Sequence, residues 1–595
     1  MSDSSAFSAE SWIQDSFSDE AASAVLDLLP DDAAFYRRYG GYTLRRGDWD
    51  TSWPSAPVED GREIKLDNEN VIHPGLTIDP TEERTPTISF WGNVARLQTD
   101  LWLLGFGLIR EIDGVFGPRT EQAVREFQIY AGMDRVAQED MEAKGEYVER
   151  LSSVKNPTGA KTRYDGPISG VVNEQTRTCL THWINEAYRC PVVVTARAGD
   201  GYESVYDGGA VAEGADPENL WGYDDVQSEQ CRVFAHDFTD GFLESGTDKI
   251  DGEEPFEHGA PIVLGYFESG DYYGPKTSAG AHTWDSTEVT PSLFELSGRD
   301  STYNVIHAVA QIECNGQLDN LNAYDAAVLS AGLYHWTLPQ VDEAPVDAGE
   351  LCGFLSYLES EYPDAYEKTF RRFGADVDTE WGNEGEALFT SLRKYVASVE
   401  KMGPDGFERM PTGTEDKTLE EAIQDWYYFR SWHWYYRFIM ASRMIDEFQE
   451  ACYEYARMRV EDILSVSWEN PLEYWPADTT IRDVFTSEKA VAMLLRWHVL
   501  SPGTIIDASG PYQHTNLTTV LEEARDRAPN PEVDRENVQG GPWTCDPTHW
   551  TDDHEEALLF NIQSVNEGTN LGSTLNIILE DRRDDIAVRE QRDSF

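Results

Sequence analysis

A glutamate that closes an apolar helix is the first place in this chain where chemistry is legible. In "STYNVIHAVAQIECNG" (301–316), Asp300 or Ser301 stands at an N-cap position, and Ile306, Val309, Ala310 and Glu313 recur at helical spacing. The Glu313 carboxylate therefore leaves the helix from an apolar stripe, and Gly316 is the glycine that ends such helices. Apolar neighbours and the negative end of the helix dipole both disfavour ionisation, so the pattern predicts a raised pKa. A general acid needs this if it is to hold its proton near neutral pH and give it to a glycosidic oxygen. A solvated glutamate at a helix end would leave the same pattern. The next residues, "QLDNLNAYDAAVLSAGLYHW" (317–336), gather Asn322, Tyr324, Asp325, Ser330, Tyr334, His335 and Trp336 into one loop-rich run.

Two other constellations compete. "THWTDDHEE" (548–556) sets His549, Asp552, Asp553 and His554 within two helical turns, a spacing that could ligate a metal. In a chain this acidic such a run is more often a solvated face, and no metal is expected. "WYYFRSWHWYY" (426–436) offers aromatic faces for sugar stacking. Consecutive aromatics must point all round a helix, however, so buried packing is expected for much of the run. No GxSxG, phosphate loop or dinucleotide fingerprint occurs, and no cofactor is expected.

An earlier stretch must position whatever these residues do. "NVARLQTDLWLLGFGLIREIDGVFGPRTEQAVREFQIYAGM" (93–133) reads as helix, turn, helix. Val94, Leu97, Leu101 and Leu104 share a face, Gly105 ends the first helix, and Gly114, Gly117 and Pro118 shape the turn. Ala123, Val124, Phe127 and Gln128 face inward from the second. The stretch "YDGPISGVVNEQTRTCLTHWINEAYRCPVVV" (164–194) adds a helix with Leu180, Trp183 and Ile184 on its apolar side, completing the module's core. The LQ, LGF, DGVFGPRT and AVREFQ elements strongly resemble the peptidoglycan-binding domain found beside many wall hydrolases. That resemblance implies a small three-helix module built on Leu97, Leu101, Leu104, Val124 and Phe127, with the 113–120 turn exposed.

The "IECNGQLDNLNAYDAAVLSAGLYHW" stretch (312–336) is similar to the core of the lysozyme-like fold in long phage and bacterial proteins that carry such a module. The resemblance implies that Glu313 is the acid, with Asp325 orienting water or sugar from the facing loop. It implies that Asn322 and Tyr324 belong to that loop, while Ser330, Tyr334, His335 and Trp336 stand on the cleft wall. His335 departs from the family pattern, which has glutamine there. The similarity continues patchily through 361–378, through 425–464 read as one long helix, and into the last helical segments.

Composition bounds what these pieces can mean. The 595 residues carry a net charge of −62, with only 11 lysines among 47 basic residues and acidic residues spread along the whole chain. This is the habit of proteins from salt-in halophiles, where molar salt screens self-repulsion within a few ångströms. No basic patch exists to displace counterions, which argues against nucleic acid as a partner. Seven cysteines without a CxxC pair predict buried free thiols, with a single Cys179–Cys190 bridge left open. No apolar run can span a bilayer, and "MSDSSAFSAESWIQD" lacks the regions of a signal peptide.

The expected fold is mainly α, a small three-helix peptidoglycan-binding-like module plus a large lysozyme-like α-rich body. Residues 1–85 read as an arm or adaptor, 86–195 as the module, 196–260 as an acidic Gly/Asp-rich linker or excursion, and 261–595 as the lysozyme-like domain with C-terminal helices. A wall-binding module in a halophile without a leader is reconciled by a tailed virus of a haloarchaeon. The expected protein is made in the host cytoplasm and carried in a virion tail or baseplate. Its partners would be a host envelope glycan or glycoprotein and other virion proteins. An active muramidase or transglycosylase against a halophilic bacterium, and a purely structural virion protein, remain as alternatives.

Overall fold

Helix outweighs strand in the computed structural model, which describes residues 39, 43–50, 88–89, 93–106, 114–145, 148–198, 203–207, 210–211, 232–239, 261–262, 264–269, 272–277, 300–323, 326–338, 349–377, 399–403, 406–411, 418–466, 476–500, 547–568, 570–579 and 588–595. The chain is mainly α, as its periodicity predicts.

The module is built from α1 (Asn93–Leu103), α2 (Pro118–Ala131) and α3 (Glu174–Asn185). Leu97, Leu101, Leu104, Val124 and Phe127 are all buried, and Trp183 of α3 meets Phe127 edge to face at 5.1 Å. The third helix thus closes the core of the first two.

Two glutamines organise this module in the same way. Gln98 Nε2 donates to Val115 O and Thr120 Oγ1, both at 3.0 Å, while its Oε1 accepts from the Gly114 N–H at 2.9 Å. Gln128 Nε2 donates to Val171 O at 2.9 Å and Thr176 Oγ1 at 3.2 Å, while its Oε1 accepts from the Ser169 and Gly170 N–H groups. Gly114 and Gly170 have φ of 73° and 72°, a region that only glycine enters freely. "GVFGPRT" (114–120) and "GVVNEQT" (170–176) are therefore one turn built twice, each held by the glutamine of the preceding helix.

The arm is not separate from this module. Leu44 bridges to Val172 and Trp49 to Val115, and Asp50 accepts from the Val94 and Ala95 N–H groups at the start of α1. Asp50 thus supplies the capping carboxylate that α1 lacks locally. Because residues 43–50 lie over it, the 114–120 turn is not the exposed loop expected, and Gly114, Phe116 and Thr120 are buried. A three-stranded sheet of β3 (Arg135–Glu139), β4 (Leu151–Lys155) and β5 (Tyr188–Arg189) flanks the helices, while β1 (Trp49–Asp50) pairs in parallel with β2 (Ile88–Ser89).

The stretch expected to be an irregular linker contains strands. β6 (Val192–Ala198), β7 (Glu203–Asp207), β8 (Ala210–Val211) and β9 (Arg232–Asp237) join β10 (Pro261–Ile262) in an antiparallel sheet of order β10-β9-β6-β7-β8. Within 196–260, "ESVYD" and "RVFAHD" bring together the strand-favouring Val205, Tyr206, Val233 and Phe234, a local preference that the surrounding Gly/Asp composition masked. A second sheet runs β11 (Leu264–Ser269), β12 (Tyr272–Thr277), β13 (Leu321–Asn322), β14 (Ser330–Ala331), β15 (Trp336–Thr337).

The body is helical around these sheets. Its first helices are α4 (Asp300–Glu313), α5 (Glu350–Glu361) and α6 (Pro363–Thr369). Where one long helix was expected over 425–464, the chain forms α7 (Leu419–Trp426), a 3-10 turn, α8 (Trp432–Met444) and α9 (Asp446–Ser465). Ser431 restarts the helix by accepting from the Trp434 N–H, and Ile445, with extended backbone, separates α8 from α9. These breaks let Trp426, Tyr428, Phe429, Trp434, Tyr435 and Tyr436 all bury, so these rings are core rather than a stacking platform. α10 (Ile481–Val484), α11 (Glu488–Leu500), α12 (Asp552–Val565) and α13 (Asn570–Leu579) complete the body. Cys179, Cys190, Cys314, Cys352 and Cys452 are free and buried, which removes the Cys179–Cys190 bridge. No helix among the described residues is long and apolar enough to cross a membrane.

Candidate functional site

Glu313 is the last residue of α4. Ile306, Val309 and Ala310 sink into the core beneath it. The helix unwinds through Asn315 and Gly316, both at positive φ, and the Gly316 N–H returns to Ala310 O at 3.0 Å. Burial pushes the Glu313 carboxyl above the ordinary range, against the pull of the Arg496 and Arg459 guanidinium groups. The direction matches the sequence expectation, and burial is its principal cause.

The company Glu313 keeps was not foreseen. Its carboxylate forms an ion pair with Arg496 of α11. Arg459 of α9, fully buried, bonds Glu350 at the start of α5 at 3.0 Å and His498 Nδ1 at 2.9 Å. Two carboxylates and two guanidinium groups thus tie α4, α5, α9 and α11 together. Such a lattice holds helices in register. An acid that serves a sugar must turn its carboxyl proton to the glycosidic oxygen, and here the carboxyl faces Arg496 instead. Only the pairing partners are hidden in the sequence, because Arg496 lies 183 positions from Glu313.

The remaining candidates divide. Asn322 of β13 is in register with Ser330 of β14, and its side-chain nitrogen lies 3.2 Å from His335 Nδ1. Asn322, Ser330 and His335 are therefore brought together, with His335 at a φ of 49° on the turn into β15. Tyr334 and Trp336 turn the other way. Trp336 has no exposed surface, stacks on Phe354 at 4.9 Å and meets Tyr455 edge to face. Gly332 leaves room for it, since a Cβ there would fall 2.5 Å from the indole ring. Of the four residues expected on the cleft wall, Ser330, Tyr334 and Trp336 are buried and only His335 is partly exposed; Trp336 shares its face of the sheet with Ala331 and Leu321, so it is a core side chain rather than a solvent-facing wall. Tyr324 and Asp325 lie outside the described residues.

At the other constellation, His554 Nδ1 accepts from the Thr551 N–H at 3.1 Å and its ring stacks on Trp550. Asp552 accepts from the Arg592 N–H. His554 thus caps the start of α12, while Asp552 ties Arg592 to it. No group of three or more potential metal ligands occurs among the described residues.

The best-defined unit is therefore the small helical domain with its glutamine-held turns packed on one core. Residues 92–135 match the family described as putative peptidoglycan binding domain, and the chain carries such a domain there. No curated protein and no solved structure matches the chain.

Proposed function

We propose that this is a virion-associated, lysozyme-like protein of a haloarchaeal tailed virus that engages host envelope glycans from the tail or baseplate. The peptidoglycan-binding domain carries the reading, since its inward-facing residues pack as a complete core and so keep a glycan-binding scaffold intact. The net charge of −62 with few lysines supports a molar-salt setting. The Glu313–Arg496 pair favours gripping over cutting. The test is co-sedimentation of the full chain, in molar KCl, with purified haloarchaeal envelopes and with murein sacculi. Retention on envelopes that disappears after enzymatic or chemical deglycosylation is the expected result, and retention unchanged by deglycosylation refutes it.

A second reading, cleavage by a murein-type hydrolase, is favoured by one observation, the raised pKa of Glu313. Release of reducing ends from murein by the wild type, abolished in Glu313→Gln, would establish it.

A further inference from the structure

The peptidoglycan-binding domain meets the body through charged groups out of reach of water. Arg437 of α8 grips Glu126 of α2 with two prongs, one of them Nη1 to Oε1 at 3.0 Å, and neither side chain has exposed surface. One turn earlier on α8, His433 Nδ1 lies 3.1 Å from the Tyr130 hydroxyl and 3.8 Å from the Glu126 carboxylate. Tyr436 donates to Asp237, the last residue of β9 and opposite Val192 of β6, and Arg372, from the turn after α6, acts on Asp237, Tyr130 and Arg437. Tyr428 and Cys190 face the same joint. The anions Glu126 and Asp237 balance the cations Arg437 and Arg372, so the joint is electroneutral only while His433 is neutral.

We propose that this joint is an acid-sensitive lock, in which a proton on His433 adds a third cation to a dry, balanced cluster and releases the domain from the body. Arg437 already engages both Glu126 oxygens and repels an imidazolium beside it, so the Glu126 carboxylate 3.8 Å away offsets only part of the cost of burying that charge. The inference concerns how the domain is held and stands whatever glycan the domain meets.

The sign follows from linkage. Burial lowers the His433 pKa from 6.5 to about 4. A released His433 takes its proton near 6.5, so the released state gains about tenfold per pH unit as pH falls from 6.5 to 4, roughly 300-fold in all. Asp237 runs the other way, because burial raises its pKa and its proton favours the docked state in acid.

Hydrogen exchange of the full chain in molar KCl, corrected for intrinsic rates, tests the lock between pH 7 and pH 4. In wild type and in Asp237→Asn, which removes the opposing group but leaves Arg372 unbalanced and so starts from lower protection at pH 7, protection of α2 and α8 should fall together while α1 and α3 keep theirs. The Asp237→Asn profile should approach the 300-fold loss, and His433→Gln, which can still hydrogen-bond Tyr130, should be nearly flat. A flat profile in both wild type and Asp237→Asn overturns the proposal, as does an equal pH dependence in His433→Gln. Loss of protection throughout the domain at the same pH also overturns it, since that is unfolding rather than release. Should His433→Gln fail to fold, the first two profiles still decide.

Discussion

Replacing Glu126 with glutamine should cost far more than a surface change of the same kind. Both Glu126 and Arg437 are fully buried, and Arg437 is otherwise enclosed by rings, its guanidinium carbon 4.3 Å from the Phe373 centroid and 4.6 Å from that of Trp434. Those ring faces are present before and after the change, so they offset nothing. Removing one member of a buried pair leaves the other charge unpaired, at about 3–5 kcal/mol. Glu126→Gln should fall in that range. Arg437→Met should fall nearer its lower end, because the freed Glu126 carboxylate can draw a proton onto His433, 3.8 Å away. The double variant Glu126→Gln/Arg437→Met contains neither charge and should lose only about 1–2 kcal/mol, giving a coupling energy of roughly 4 kcal/mol or more. Urea unfolding at constant molar KCl measures all four corners of the cycle, provided the slope stays the same. Single variants each costing less than about 1 kcal/mol, or a double variant equal to their sum, would refute the dry ion pair.

Three further outcomes are expected. Dialysis to about 0.1 M salt should lower the melting temperature sharply, since 109 acidic residues then repel over a longer Debye length, and an unchanged midpoint would remove the halophilic reading. Gln98→Ala and Gln128→Ala should destabilise by similar amounts, about 1–3 kcal/mol each, because each leaves a buried turn N–H without its acceptor; urea unfolding that shows one of them neutral would deny the equivalence of the two turns. Native protein should resist iodoacetamide at pH 8 at Cys179 and Cys314, where burial raises the thiol pKa from 9 to about 12 and lowers the thiolate fraction about a thousandfold. Modification of either on native protein, read by peptide mass, would contradict their burial.

What the sequence made legible was local. Leu97, Leu101, Val124 and Phe127 announce themselves through helical spacing, and the Glu313 helix with its Gly316 stop follows from the same periodicity. What it hid was long-range. Nothing near Glu313 names Arg496, and nothing in "LRRGDWD" (44–50) says that Asp50 caps a helix beginning at Asn93. Trp336 illustrates a third kind of miss. Residue type suited it to a sugar platform, but its place on the face of the sheet shared with Ala331 and Leu321 sent it into the core instead. The duplicated turn was visible as "GV…T" twice, yet only the matching glutamine bonds reveal that the two stretches are equivalent.

The Asp50 contact with Val94 and Ala95 has a consequence for how this protein could have grown. The contact sets Asp50 beside the start of α1, and Ile88–Ser89 pairs with Trp49–Asp50, so the stretch between Asp50 and Ile88 is a detour in sequence whose ends are already pinned together. The entropic penalty of such a detour rises by only about 0.6 kcal/mol for each doubling of its length. The position therefore behaves as a port, at which added sequence of almost any size can be spliced without disturbing the two turns or the core. A lineage that needed new recognition could acquire it here, leaving the scaffold that presents it unaltered.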